Sequence, residues 1–234
     1  MPDRRRPGRT AGWYLRGAVG LFGELLVTLG VVLGLFVGWQ LVWTDVVADQ
    51  QQAGVVANLQ GGFSLGEPRS EGQSPGGLGD AFAIVRIPRF GADYARPLYE
   101  GTDRGTLQKG IGHYPETVLP GEVGNFAMAG HRTTYGKPFS RIAELRTGDR
   151  IIVETADEFV VYRVYAQRIV LPTQVEVVLP VPGEPGRAPT EAVLTMTSCH
   201  PQFSSRQRWV THARLDQILN RADGLPAEVL EVTA

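Results

Sequence analysis

The chain has 234 residues, enough for one or two domains, and a formal net charge of −1 that argues against nucleic acid as a general partner. Its single cysteine excludes an internal disulfide, so this side chain is either a small buried hydrophobe or a free thiol kept for chemistry. The near-neutral total hides an asymmetry, because residues 1–16 are rich in arginine and hold one acidic residue, Asp3.

An apolar segment, Gly17–Trp43, follows this basic tail and is longer than the ~20 residues that cross a bilayer. The alternative is a cleaved signal peptide, whose apolar core is usually ~7–15 residues long and ends in a small-residue cleavage site. No Ala-x-Ala pattern ends the segment, and Trp39 and Trp43 stand where aromatic residues contact a membrane interface. The sequence therefore predicts one uncleaved transmembrane helix.

Charge predicts the orientation of this helix, because positively charged ends stay in the cytoplasm. The tail of residues 1–16 is then cytoplasmic and the chain after Asp45 is extracellular, so we expect a single-pass protein of the cell membrane with membrane lipid as a partner. Gly30, Gly34 and Gly38 form overlapping GxxxG units that can let two membrane helices approach closely. The other interpretation, that glycine is simply common in membrane helices, stays open.

Residues 44–79 are predicted to be an extracellular linker. From Asp49 to Gly79 the chain has few large apolar residues, and Gly66–Gly77 is rich in glycine, proline and serine. Such a composition cannot bury enough surface to offset the conformational entropy of the chain. We expect this segment to hold a folded domain, residues 80–234, away from the membrane.

The domain begins where short β-branched and aromatic runs start to alternate with turns. The runs that predict strands are Phe82–Ile87, Gly124–Gly130, Arg150–Thr155, Glu158–Ala166, Arg168–Leu171, Ala192–Thr197 and Arg208–Ala213. The two residues between the third and fourth runs predict a hairpin. Many short strands with few helical repeats indicate a mainly β fold, a closed or nearly closed β-barrel of ~150 residues. Pro138–Leu145 is the candidate for a short helix, and Asn220–Ala234 is either a capping element or a frayed tail.

Three residues of this domain stand at the ends of predicted strands in an arrangement that favours chemistry: His131, Cys199 and Arg208. Each is a weak signal alone, because a lone cysteine is more often buried filler and a lone histidine more often a satisfied polar group. Together they make a reactive thiol the better interpretation. An arginine can lower a thiol pKa or bind a developing oxyanion, and a histidine can exchange protons with sulfur.

Four segments in order carry a resemblance to a known family: Gly110–Pro115, Leu119–Phe126, Ala129–Phe139 and Leu194–Pro201. On these motifs the chain resembles the sortases, and most of all the class E sortases of high-GC Gram-positive bacteria. The matching stretch runs from Phe82 to Leu215. One departure is Ser198, where this family usually has threonine; the hydroxyl is kept and a methyl group is lost, which bears more on substrate fit than on catalysis.

The resemblance implies a sortase-like barrel and a transpeptidase mechanism. By that implication Cys199 attacks the Thr–Gly carbonyl of an LPxTG-like sorting signal, His131 protonates the departing amine, and Arg208 hydrogen-bonds the oxyanion. The implied partners are exported proteins with a C-terminal sorting signal and a peptidoglycan amine that accepts them. The chemistry agrees, since an amide leaving group must be protonated and one fixed oxyanion donor is typically worth ~3–4 kcal/mol.

Substrate contacts are also predicted from the resemblance. Tyr135 matches a position linked in class E sortases to a preference for LAxTG over LPxTG signals, and Thr197 and Ser198 are candidates for the wall of the groove. No cofactor is implied. No metal is expected either, because Thr173–Glu191 has only sparse acidic residues for a calcium site.

Four other arginine and histidine residues of the domain have their own expected roles. Arg206 is the alternative to Arg208 as the oxyanion donor. His113 is expected to be structural and His212 to be unrelated to catalysis, whereas His200, next to the cysteine, could turn toward the groove.

Three other functions remain possible interpretations of the sequence. The first is a pilus-polymerising sortase, although Asp49–Gly79 lacks the Asp-Pro-aromatic element that such enzymes often place in the groove. The second is a thiol protease, in which water resolves the thioacyl intermediate. The third is a membrane-tethered barrel that binds a wall peptide without chemistry.

Overall fold

The structure, a computed structural model, describes residues 11–64 and 79–232. It begins with α1 (Ala11–Ser64), a helix of 54 residues. Within α1, Gly17–Trp39 has a mean hydropathy of 2.2 and is the one stretch of the described residues long and apolar enough to span a membrane. The chain divides after Trp43 into two compact units, of which the second contains the end of α1 and the whole barrel.

The end of α1 differs from the expectation of a loosely packed linker. The helix continues to Ser64, and Ala48, Gln52 and Val56, each four residues from the next, are buried within the second unit. Glutamine is a good helix former, so the run of three glutamines favours the helix that we interpreted as a spacer. Residues 65–78, the remainder of the predicted linker, lie outside the described residues, and the predicted domain boundaries stay predictions.

The barrel is closed, with strand order β1-β2-β3-β4-β7-β8-β6-β5. Its strands are β1 (Ala81–Arg86), β2 (Ala95–Glu100), β3 (Ile111–His113), β4 (Gly124–Ala129), β5 (Arg150–Glu154), β6 (Glu158–Val170), β7 (Ala192–His200) and β8 (Gln207–Asn220). The pairs β2–β3 and β4–β7 are parallel and the others antiparallel. Two short helices, α2 (Arg104–Lys109) and α3 (Ala227–Leu230), complete the fold. The closed β-barrel expected from the sequence is confirmed.

The core fills the barrel with every second side chain of each strand. On β7 the interior positions are Leu194 and Met196, which pack with Phe126 from β4 and Tyr162 from β6. The rings of Phe126 and Tyr162 stack with their centroids 6.5 Å apart. The Tyr162 hydroxyl also accepts a 2.7 Å hydrogen bond from the backbone N–H of Gly121, so this buried polar group is paired.

Most predicted strands are present, with three differences. The run Arg168–Leu171 is not separate but continues β6 to Val170. β2 and β3 were not predicted, because Pro97 lies inside the first and the second has three residues with a central glycine. The predicted helix at Pro138–Leu145 is only a 3₁₀ turn, Ile142–Glu144, since the Pro138 carbonyl accepts a hydrogen bond from the Tyr94 hydroxyl instead.

The C-terminal segment caps one part of the barrel as far as the structure describes it. Val229 of α3 is buried against Ile152, Phe159 and Val161. Arg150 also donates hydrogen bonds to the carbonyls of Glu228 and Glu231. These contacts favour the capping interpretation over the frayed tail through residue 232.

Candidate active site

Strand register brings the three candidate residues together. β7 lies between β4 and β8, and on its β8 side Cys199 is the direct cross-strand partner of Arg208. On its β4 side Ala129 is level with Thr197, and the Gly130 N–H donates to the Thr197 carbonyl at 3.2 Å, so His131 leaves β4 at the end of the sheet where Cys199 lies. Neighbouring strands are about 4.8 Å apart, which makes the three residues adjacent across the sheet. His131 and Cys199, which are 68 positions apart in sequence, thus lie at the same end of the barrel.

Strand alternation places the cysteine on the outer surface of the barrel. Leu194 and Met196 point into the core, so Thr195, Thr197 and Cys199 face outward. Cys199 is a free, partly exposed thiol. The outward face is therefore the one on which a peptide could reach the sulfur.

The connection between β6 and β7 lies over this outward face. Val177, from a 3₁₀ turn in that connection, packs with Val170 and Val210. The buried Asn125 side chain of β4 donates hydrogen bonds to the carbonyls of Val177 and Leu179, at 3.3 and 2.9 Å. The connection is therefore fixed to the outward face of the sheet.

The backbone entering His131 passes close to a buried ring. A Cβ on Gly130 would lie 2.7 Å from the Phe139 ring, so a larger residue cannot occupy this position without displacing the ring. The backbone N–H of Phe139 donates a 3.0 Å hydrogen bond to the carbonyl of His131, which closes the turn. The glycine before the histidine and the phenylalanine eight residues later thus act together to fix the histidine backbone.

The His131 side chain is partly buried and can exchange a proton at a free nitrogen. Its ring lies 5.1 Å from the Tyr135 ring, centroid to centroid. Nε2 is buried and has no hydrogen-bond partner among the described residues. Burial lowers the pKa of His131 below its ordinary value of 6.5, so the neutral imidazole is the main form at neutral pH.

The structure also distinguishes the two candidate arginines. Arg208 is the second residue of β8, is partly buried, and donates through Nη1 to the carbonyls of Ser205 and Gln207, at 2.9 and 3.0 Å. Arg206 is exposed in the turn before the strand. The register with Cys199 and the anchored guanidinium favour Arg208 as the donor beside the thiol.

A third arginine, which the sequence analysis did not single out, lies closest to the cysteine backbone. Arg132 is only 7% exposed, and its Nη1 donates to the carbonyl of Cys199 at 3.2 Å and to Nδ1 of His200 at 2.9 Å. Its guanidinium carbon lies 5.5 Å from the centre of the Trp209 ring. Burial lowers the pKa of Arg132, and the proximity of Cys199 acts in the opposite direction. The sequence signal that could have identified Arg132 is its position directly after His131 in the motif Ala129–Phe139.

Of the predicted substrate contacts, Thr197 and Ser198 lie on opposite faces of β7. Thr197 shares the face of Cys199, and its Oγ1 lies 3.0 Å from the hydroxyl of Tyr114. Ser198 departs from the expectation of a groove residue, because its side chain is 3% exposed and donates a 2.8 Å hydrogen bond to the carbonyl of Gly130. Adjacent strand residues point in opposite directions, which puts this hydroxyl behind the thiol rather than beside it.

The other histidines have separate environments. His113 is buried, with Nδ1 2.8 Å from Oε2 of Glu100, and its ring stacks on Phe126. His212 lies under the β6–β7 connection, and burial, followed by the nearby charge of Arg168, lowers its pKa to about 4. Neither histidine forms a described hydrogen bond with His131, Cys199 or Arg208. Within the described residues no cluster of three or more histidine, cysteine or acidic side chains could hold a metal ion.

Both the sequence and the closed barrel of this chain have counterparts among known proteins. Residues 85–216 match the family model described as Sortase domain. The chain belongs to the sortase family. Sortase SrtE1 of Streptomyces coelicolor is 36% identical over 214 residues, which cover 87% of this chain and 59% of that relative. Sortase SrtE2 of the same organism is 36% identical over 225 residues, which cover 91% of this chain and 86% of that relative.

Solved sortase structures extend the similarity to the fold. The structure of sortase E1 from Streptomyces coelicolor with a tripeptide in the active site is 35% identical to this chain and superimposes with a TM-score of 0.59. The matched region covers 66% of this chain and 97% of that one. The sortase resemblance predicted from the four motifs is thereby confirmed, and with it the similarity to class E members.

Proposed function

We propose that this sortase is a membrane-anchored cysteine transpeptidase that cleaves an LPxTG-like sorting signal, of the LAxTG type, between threonine and glycine. It transfers the carboxyl end of an exported protein to an amine of the cell wall. The observation that carries this proposal is the placement of Cys199 on β7 between His131 beyond β4 and Arg208 on β8. The similarity to a sortase E1 that holds a tripeptide in its active site supports a peptide substrate.

The first half-reaction forms a thioester. The Cys199 thiol passes its proton to neutral His131, and the resulting thiolate adds to the Thr–Gly carbonyl, whose developing negative charge is bound by the Arg208 guanidinium. The C–N bond then breaks as the His131 imidazolium gives its proton to the glycine nitrogen, which leaves as a neutral amine. Arginine stays charged throughout, so the same donor serves both half-reactions.

The second half-reaction reverses these roles. An incoming amine adds to the thioester, neutral His131 takes its proton, and the C–S bond breaks to return the thiolate. The lowered pKa of His131 favours the neutral form that this step needs. Water in place of the amine would give hydrolysis, the protease alternative.

The location follows from the first unit of the chain. The apolar stretch Gly17–Trp39 has the length and composition of a membrane anchor. Residues 1–16, which the structure does not describe in full, are basic in sequence, and this charge supports a cytoplasmic N-terminus and an extracellular barrel. On that side of the membrane the barrel would meet exported proteins and peptidoglycan amines, whereas a cytoplasmic barrel would meet neither.

The test uses the full chain in detergent micelles with LAxTG and LPxTG peptides in separate reactions. Intact-mass analysis should show a thioacyl adduct on the wild type that is absent from Cys199→Ala. Added glycine amine should release the adduct as an amine conjugate, and the faster peptide identifies the preferred signal. Release as free acid despite the amine would identify a protease, and an unmodified thiol with both peptides would contradict the proposal in favour of a binding barrel.

A further inference from the structure

The last part of α1, residues Thr44–Ser64, forms what we call the distal segment. It belongs to the same compact unit as the barrel. Ala48, Gln52 and Val56 lie four residues apart on one side of the helix and are buried, whereas Gln51 is exposed. A buried stripe at helical spacing shows that the distal segment packs through one face.

That face contacts the loop that follows His131. The Gln52 side chain donates a 3.1 Å hydrogen bond from Nε2 to the carbonyl of Tyr135. Lys137 forms an ion pair with Asp45, with 2.8 Å between Nζ and Oδ2. Between these two anchors, a Cβ on Gly136 would lie 2.9 Å from Gln52 Nε2, so the loop and the helix are in close contact.

The contacted loop has a backbone conformation that needs support. Tyr135, Gly136 and Lys137 have φ angles of 55°, 72° and 36° in succession. Non-glycine residues at positive φ are strained and persist where the surrounding structure fixes them. Two of the three residues are not glycine, and the distal segment supplies contacts to both.

The loop in turn contacts the candidate acid–base residue. The Tyr135 ring lies 5.1 Å from the His131 ring, and its hydroxyl accepts a 3.1 Å hydrogen bond from Gln108 Nε2. The backbone of Tyr135 is therefore held by Gln52 while its ring lies against the imidazole. A displacement of the loop would move the ring that limits where the imidazole can turn.

We propose that the distal segment positions His131 for catalysis, with Gln52 and Asp45 as positioning residues that act through the loop 135–137. The inference rests on the proposed function for its catalytic consequence. It assigns a task to a part of the chain outside the sortase barrel and outside residues 85–216 that match the family. The rival view is that the distal segment only adds stability to the barrel.

The main experiment compares Gln52→Glu with Gln51→Glu in the full chain. The first change keeps the side-chain shape but replaces the donor by an oxygen facing the Tyr135 carbonyl; the second makes the same charge change on the exposed side of the helix. We expect Gln52→Glu to lower kcat for thioacylation on the order of tenfold or more, because small displacements of a reacting group are costly. KM should change much less, and Gln51→Glu should match the wild type. Because Gln52 is only 2% exposed, the introduced carboxylate also lowers the melting temperature, so kcat is compared at a temperature at which both variants are fully folded.

A second readout needs no peptide. The chain has four histidines, so imidazole NMR signals of histidine-labelled protein can be assigned with His131→Gln. Because the Tyr135 ring shields nearby protons, we expect the His131 signal to shift in Gln52→Glu and to stay in Gln51→Glu. The signals of the other histidines should not move.

A charge exchange provides rescue. Asp45→Lys and Lys137→Asp should each lower kcat about two- to threefold, since an exposed ion pair is worth little, and the double variant should recover most of the loss. Recovery of kcat in fully folded protein supports the positioning role, whereas variants that lose only melting temperature and keep kcat support the stability view.

The outcomes separate the two proposals. If Gln52→Glu loses activity only in proportion to its folded fraction, and the His131 signal is unchanged, the positioning role is wrong. If the wild type never forms a thioester, the proposed function fails, and the His131 signal still decides whether Gln52 orients the imidazole.

Discussion

The two sides of Cys199 are held by different means. On the β4 side, packing fixes the chain, with Gly130 against the Phe139 ring and the buried Arg132 beside Trp209. On the β8 side, Arg208 is partly exposed and is held by carbonyls of its own loop. Packing therefore makes the His131 side the rigid one and the partly exposed Arg208 side the adjustable one; under the proposed function these are the sides of proton transfer and of oxyanion binding.

The largest effect is expected from removing the acid–base group on the rigid side. His131→Ala should lower kcat for thioacylation by roughly 10²–10⁴, the usual range for positioned proton transfer. Single-turnover intact-mass kinetics would measure it, with circular dichroism as the check on folding. A loss below about tenfold would mean that proton transfer runs through another group, and the comparison of the two sides would lose its basis.

On the adjustable side, Arg208→Ala should reduce kcat/KM by roughly 10²–10³, corresponding to the loss of one oxyanion donor. Arg206→Ala is the matched control, because the same charge is removed from the exposed turn two residues earlier. Steady-state cleavage of a sorting-signal peptide distinguishes the two. Equal losses in both variants would show that general positive charge matters rather than a donor placed by the register with Cys199.

The β8 side also carries the buried His212, which should make stability depend on pH. Its pKa of about 4 is below the ordinary 6.5, so the unfolded chain binds the proton more tightly. The contribution of His212 to the free energy of unfolding is then fully present above about pH 6.5. It is lost as the pH falls through 4, by about 3 kcal/mol in total. His212 Nδ1 lies 2.9 Å from Thr195 Oγ1, a contact that an asparagine amide can replace. Denaturant unfolding at several pH values should therefore show a shallower dependence in His212→Asn. Identical slopes would contradict this assignment.

The smallest effect is expected for the buried arginine of the rigid side. Arg132→Met keeps much of the apolar volume but removes the donors to the Cys199 carbonyl and to His200. We expect a destabilisation of about 1–3 kcal/mol, since acceptors next to the thiol lose a charged partner. Thermal melting measures this, and Arg132→Lys tests geometry, because an ammonium lacks the planar guanidinium that lies over the Trp209 ring. A variant as stable as the wild type would mean that the rigidity comes from packing alone.

Some parts of the fold could be predicted because the signal is local. β1, β4, β5 and β7 are runs of β-branched and apolar residues, and the β5–β6 hairpin has a two-residue turn signal. β2 was not predicted because it contains Pro97. Only the assembled sheet shows that this proline precedes the residues of β2 that pair with β3. The distal segment was interpreted as a spacer because its glutamines are polar, although Gln52 is buried against the loop of residues 135–137.

The sequence by itself determined the sortase family, the apolar anchor segment and the identity of His131, Cys199 and Arg208 as candidates, because motifs, hydropathy and residue chemistry are properties of the chain. Tertiary structure alone decided that Arg208 rather than Arg206 is the cross-strand partner of Cys199 and that Ser198 points away from the thiol. It also decided that Arg132 donates to the Cys199 carbonyl and Gln52 to the carbonyl of Tyr135. These outcomes depend on strand register and barrel closure, which join residues that are far apart in the chain.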